Sequence, residues 1–196
     1  MFIDAVPEEA AEGAIGDYYQ QQRAAWGFLP NYAAAFSTRP DVAAAWNLLN
    51  KTVREGMDRR RFEIATIGAA RALGSTYCTA AHSKFLRDDC EDEAAMLAIA
   101  TDPSGAALSD EDRTIYAFAA KVAADASSIQ QEDVDALRSQ GLTDADVADL
   151  VFAAAARSFF TRVLDGLGAE LDVQTAQGFT PDILQSMVVG RPVADG

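Results

Sequence analysis

Apolar positions in this chain recur every three or four residues far more often than every two, which is the period of helices buried on one face. After Pro40, the residues Val42, Trp46, Leu49 and Val53 follow in steps of four, three and four, a single stripe predicted to pack on the core. Trp46 and Phe36 are read as plain core, although both could line a pocket. A first helix is expected over 7–23, with Pro7 in its first turn and Trp26-Gly27 closing it. GFLPNYAAAF then turns, with Asn31 as the cap of a short helix.

Asp58 is the predicted N-cap of a helix carrying Glu63, Ile64, Ile67 and Leu73, and Gly74 is its left-handed terminator. Ser75 follows as the cap of a new helix whose first three residues are Thr76, Tyr77 and Cys78. The acidic run RDDCEDE reads as a solvated break, 93–100 as a short helix and TDPSGAAL as a loop. Ser109 with Asp112, and Thr143 with Asp146, have the spacing of capping boxes ahead of two further helices, and 131–139 is a short helix between them. After Gly178 one short helix and a loose tail are expected.

Composition narrows the class. Alanine dominates the apolar set and alternating β-branched runs are scarce, so the chain is predicted all-α. With 196 residues, 49% of them hydrophobic, a single domain over 1–196 is expected. A net charge of −14 excludes nucleic acid or an anionic membrane as the main partner. No apolar run is long enough to span a bilayer, and MFIDAVPEEAAEG has no basic-then-apolar leader pattern, so a cytoplasmic protein is expected. Two cysteines are too few for a disulfide framework, which leaves reduced thiols as the expectation.

The candidate chemistry lies between Asp58 and Cys90. Cys78 and His82, the only histidine, are four residues apart and so share one helix face about a turn from each other. Glu63 sits fifteen residues before Cys78, on the preceding helix, and an antiparallel helix pair would return it to their side. A thiol in a helix's first turn meets free N–H groups and the positive dipole end, which favour thiolate. Three uses stay open on spacing alone: His82 or Glu63 deprotonates the thiol for attack on an electrophile such as a peroxide; the three residues hold a metal; or a buried cysteine and a core histidine merely pack. An echo of the Glu63–Arg71 spacing in Asp149–Arg157 hints at an internal repeat whose second copy lacks the chemistry, with Leu164 and Gly168 where Cys78 and His82 would fall.

The order Glu63, Cys78, His82 within FEIATIGAARALGSTYCTAAHSKFL resembles the signature of the AhpD-like (alkylhydroperoxidase D-like) group of the carboxymuconolactone decarboxylase family. The likeness extends to EDVDALRSQGLTDADVADLVFAAAARSFFTRVLDGLG and covers about 27–168, with GFLPNY similar to peroxidase-related members. The resemblance implies a bundle of antiparallel helices around a helix-hairpin site, assembly into dimers, trimers or hexamers, and a peroxidase site needing no cofactor. It further implies that Cys78 is the peroxidatic nucleophile and that Glu63 and His82 relay its proton. In the family pattern a resolving cysteine stands at Ser75 and a histidine at Tyr77, so these two positions become supporting residues here.

Cys90 is no internal substitute. Twelve residues along one helix is about 18 Å, far beyond the roughly 4.4–6.8 Å that a disulfide tolerates. The expected activity is therefore a one-cysteine peroxidase acting on a small hydroperoxide, with Cys78 restored by an external thiol or redox partner protein. A lyase or hydrolase acting on a small lactone or carbonyl compound, and a non-catalytic oligomer with a vestigial site, are the alternatives. Arg59, Arg60 and Arg61 are expected to pair with acidic groups of a neighbouring subunit.

Overall fold

The computed structural model describes residues 1–102 and 104–194. Pro103, in the expected loop, and the last two residues of the expected tail lie outside them. The fold is all-α, as predicted, with eleven α-helices among the described residues: α1 (Gly13–Trp26), α2 (Asn31–Ala35), α3 (Pro40–Glu55), α4 (Arg59–Ala72), α5 (Thr76–Asp88), α6 (Glu93–Thr101), α7 (Asp110–Asp125), α8 (Gln131–Ser139), α9 (Asp144–Leu167), α10 (Val173–Ala176) and α11 (Pro181–Met187), of which α10 is not among the expected elements. None of these is long and apolar enough to cross a membrane.

Local rules place the boundaries of the central helices. Asp58 Oδ1 accepts from the Arg61 N–H at 2.9 Å and starts α4. Gly74, at φ +70°, ends that helix in the left-handed region, and Ser75 Oγ accepts from the Cys78 N–H at 3.3 Å to start α5. Thr143 and Asp146 cap each other reciprocally ahead of α9. The helices so started pack around α4, which lies against α5, α7 and α9 and buries Phe62, Ile64 and Ile67 almost completely. Each such side chain contributes roughly 1.5–3 kcal/mol of transfer free energy. Gly68 permits the α4–α7 approach, since a Cβ there would stand 2.5 Å from the Tyr116 carbonyl oxygen. A three-residue turn joins α4 to α5, and Arg59 at one start pairs with Asp89 just past the other's end, so the two run antiparallel.

Several expectations need correction. The first helix begins at Gly13, preceded by a single 3₁₀ turn at Glu8–Ala10, because the chain at Gly13 adopts φ +56° and cannot continue one helix from Pro7. Asn31 is the first residue of α2 and caps nothing; its Nδ2 donates to the Glu170 carbonyl. Leu49 faces solvent together with Leu48, so of the α3 stripe Trp46 is buried and Val42 packs partly on the core, while Leu49 does not reach it.

The tail is not loose over its described part. The Val189 and Gly190 N–H groups donate to Thr76 Oγ1 at 3.1 and 3.0 Å, and Val193 bridges to Leu171. Within this chain the three arginines pair with carboxylates: Arg59 with Glu63 and Asp89, Arg60 with Asp92 and Asp112, Arg61 with Glu111 and Asp146.

Candidate active site

The α4–α5 hairpin returns Glu63 to His82, as the antiparallel pairing requires. The Glu63 side chain is fully buried, and a carboxylate there needs compensation. Two groups supply it: His82 Nδ1 lies 2.5 Å from Oε2, and Arg59 Nε lies 2.7 Å from Oε1. The Arg59 contact is charge pairing across a short distance, because its N–H points off the line a hydrogen bond needs.

Burial and then the charge of Arg157 push the pKa of His82 down to about 4, against the pull of Glu63. The ring is therefore neutral at pH 7. Its Nδ1–H donates to Glu63 and Nε2 keeps the lone pair, the arrangement a general base requires. Phe62 and Phe85 meet the imidazole edge-on, at 6.0 and 5.5 Å between centroids, and hold its plane.

Cys78 is buried at the third position of α5, with its own N–H satisfied by Ser75. Its sulfur faces two donors on α9: Thr161 Oγ1 at 3.4 Å and Arg157 Nη1 at 3.6 Å. A hydroxyl and a guanidinium are thus both directed at the sulfur. No direct hydrogen bond between Cys78 and His82 occurs among the described residues; the two share one cavity, where a water or a substrate atom could bridge them.

Tyr77 is a support. Its hydroxyl donates to Asp172, which also accepts from the Asn31 N–H at 2.6 Å, and this fastens the start of α5 to α2 and to the residue before α10. Burial holds the Tyr77 pKa well above its ordinary value, and the negative charge of Asp172 adds to that.

The cavity over Cys78 has a volume of about 600 Å³. Trp46 lines it and is also buried, so the pocket and core readings of this residue are both correct, whereas Phe36 lies in the core, stacked on Phe160. Arg157 and Thr161 are the residues that sequence reasoning missed. Arg157 enters the sequence pattern only as part of a second copy without chemistry, yet it reaches the Cys78 sulfur, while Arg71, its counterpart in the echo, donates to the Ser186 carbonyl. A signal was present: Leu150, Ala153, Ala154, Arg157, Thr161 and Leu164 form one buried helical stripe, and a cation on such a stripe calls for a function.

Cys90 lies past the end of α5, half-buried and unpaired, and burial raises its pKa. Among the described residues no three His, Cys, Asp or Glu side chains are disposed to hold a metal.

Residues 40–102 match the model of the carboxymuconolactone decarboxylase family, and this segment includes Glu63, Cys78 and His82. No protein of curated function matches the sequence significantly. Among solved structures, the fold is similar to an alkylhydroperoxidase AhpD core, a peroxidase-related protein from Ralstonia eutropha, at 22% identity and a TM-score of 0.76 over 96% of this chain and 97% of that one. A peroxidase-related protein from Silicibacter sp. is similar at 20% identity and a TM-score of 0.73, over 89% and 91%. The debrominase Bmp8, as a Cys-to-Ala variant in complex with 2,3,4-tribromopyrrole, is similar at 15% identity and a TM-score of 0.76, over 95% and 97%.

Proposed function

We propose that this protein, AhpD-like in fold and bearing a carboxymuconolactone decarboxylase family segment at 40–102, is a thiol peroxidase working through the single cysteine Cys78. The observation that carries this reading is the sulfur's setting: buried at the cavity's edge, faced by Arg157 and Thr161, and beside a neutral histidine tied to a buried carboxylate. His82 Nε2 takes the thiol proton through a water. The thiolate attacks the terminal oxygen of a hydroperoxide; an S–O bond forms as the O–O bond breaks, and the alkoxide leaves with the proton that His82 returns. The products are an alcohol and the sulfenic acid of Cys78.

Ser75 cannot close a disulfide and Cys90 is not paired with Cys78, so the return half uses external thiols. One thiol condenses with the sulfenic acid, releasing water and leaving a mixed disulfide. A second thiol attacks the partner's sulfur and frees Cys78. The protein also forms a homo-oligomer in this reading, supported by Leu48 and Leu49 of α3 and Phe152 and Phe159 of α9, which remain exposed.

Stopped-flow measurement of sulfenate formation tests the assignment. The expected rate exceeds that of a free thiol by about 10² or more, the scale of positioned general-base catalysis, and disappears in Cys78→Ser. A rate equal to free cysteine's overturns it. Turnover of a lactone that survives Cys78→Ser but not Glu63→Gln would move the chemistry to the carboxylate.

A further inference from the structure

The cavity over Cys78 is far larger than a peroxide group needs and is built for a body with a particular chemistry. In a chain with 30 acidic and 16 basic residues, its lining includes Lys51, Arg54, Arg59, Lys84 and Arg157 against only Glu63 and Asp89. Both of those carboxylates are committed to Arg59, and Lys51 and Lys84 pair with Glu55 and Asp88, which among the described residues leaves Arg54 and Arg157 as the cations the cavity does not answer with a carboxylate. Arg157 is the innermost cation, 4% exposed, with no carboxylate in ion-pair distance among the described residues and no acceptor for its Nε–H. A buried cation left so is costly unless something arrives to pair with it. The contact of Nη1 with the Cys78 sulfur answers only one edge of the guanidinium.

The rest of the wall is aromatic. Trp46 and Phe160 stack at 4.9 Å with 16° between their planes, and the Arg157 guanidinium lies 5.7 and 5.3 Å from their centroids. Trp26 and Phe85, which also line the cavity, stand 5.4 Å apart between centroids. Aromatic walls beside a cation with one edge unanswered suit a flat anion: its ring among the aromatic side chains, its acid group toward Arg157.

We propose that this cavity binds a ring-bearing organic carboxylate, so that the hydroperoxide reduced at Cys78 is carried on an aromatic acid. The substrate class rests on the reading of Cys78 as the reactive centre, whereas the binding does not. Calorimetric titration of the whole protein with 2-naphthoate and with neutral 2-naphthamide separates the two. The carboxylate is expected to bind saturably at one site per chain, about tenfold or more tighter than the amide, and to protect Cys78 from iodoacetamide. Arg157→Gln should bring naphthoate down to the amide's affinity, while Arg157→Lys keeps part of the difference. Equal affinity of carboxylate and amide for the unaltered protein, or no saturable binding, overturns the proposal even if the glutamine variant fails to fold. Hydrogen peroxide has neither ring nor charge, so its reaction reports on Cys78 alone. Rapid oxidation by it without naphthoate binding removes the substrate class only, and binding without rapid oxidation removes the peroxidase reading only.

Discussion

Glu63 Oε2 and His82 Nδ1 stand 2.5 Å apart with both side chains buried, and this one contact decides which ring nitrogen keeps its lone pair free. The carboxylate accepts the Nδ1 proton, so the lone pair is on Nε2. The same carboxylate also compensates Arg59. Replacing it therefore disturbs the base and the start of α4 together.

Glu63→Gln is expected to slow sulfenate formation by roughly 10²–10³, because an amide holds the histidine tautomer less firmly and no longer stabilises an imidazolium. It should also lower the urea midpoint, since Arg59 keeps only the half-exposed Asp89. Stopped-flow kinetics and urea unfolding on one preparation check both effects. An unchanged rate would remove Glu63 from the proton relay.

His82 is the only histidine, so its ring resonances give a titration free of overlap. In the folded protein the midpoint is expected near 4, held there first by burial and then by Arg157. In the unfolded chain the ordinary value near 6.5 applies. The unfolded state thus takes up the proton first as pH falls. The stability from keeping this ring neutral is complete above about pH 6.5 and is lost progressively as pH falls toward 4. Unfolding free energy should decline across that window, on the order of 3 kcal/mol from this group, and His82→Gln should flatten the decline. A folded-state midpoint near 6.5 would contradict the assignment.

Arg60 grips the buried Asp112 with both terminal nitrogens, at 2.5 and 2.8 Å, and reaches Asp92 through Nε at 2.7 Å. Arg60→Gln leaves Asp112 with Ser109 alone, a nearly buried carboxylate without its cation. The expected loss is about 2 kcal/mol, less than for a fully buried pair because Arg60 is itself more than one-third exposed. Urea unfolding reads the loss, and a sizing column separates it from any change in assembly. A shift of mass at unchanged stability would instead assign Arg60 a role between subunits.

What the sequence made legible follows from how local each determinant is. Asp58, Gly74, Ser75 and Thr143 act within four residues of themselves, so their caps could be placed from the chain alone, and with them the hairpin that joins Glu63 to His82. The family resemblance added a reason to read that hairpin as a site, and the match over 40–102 agrees with it. Arg157 lies seventy-nine residues from Cys78, in an alanine-rich helix whose rotation about its axis is set by α4 and α7. Only packing reveals that this one charge points inward. The docked tail depends likewise on Thr76, a partner more than a hundred residues away. The α3 stripe misled because Leu49 has the right period for a core face that neighbouring helices do not extend to cover.

Thr161 offers the cleanest separation of reactivity from folding. Its hydroxyl is buried and is turned to the Cys78 sulfur at 3.4 Å. Valine has nearly the same shape without the donor, so Thr161→Val removes one hydrogen bond to the thiolate and leaves the packing of α9 against α5 intact. A hydrogen bond to a charged group contributes about 1.5 kcal/mol or somewhat more, so alkylation of Cys78 by iodoacetamide at neutral pH should slow by about tenfold. The urea midpoint should move little, because the sulfur and the hydroxyl leave no other group unpaired. A slower alkylation at constant stability would mark the hydroxyl as a stabiliser of the reactive anion. An unchanged alkylation rate would leave Arg157 as the side chain that holds the thiolate.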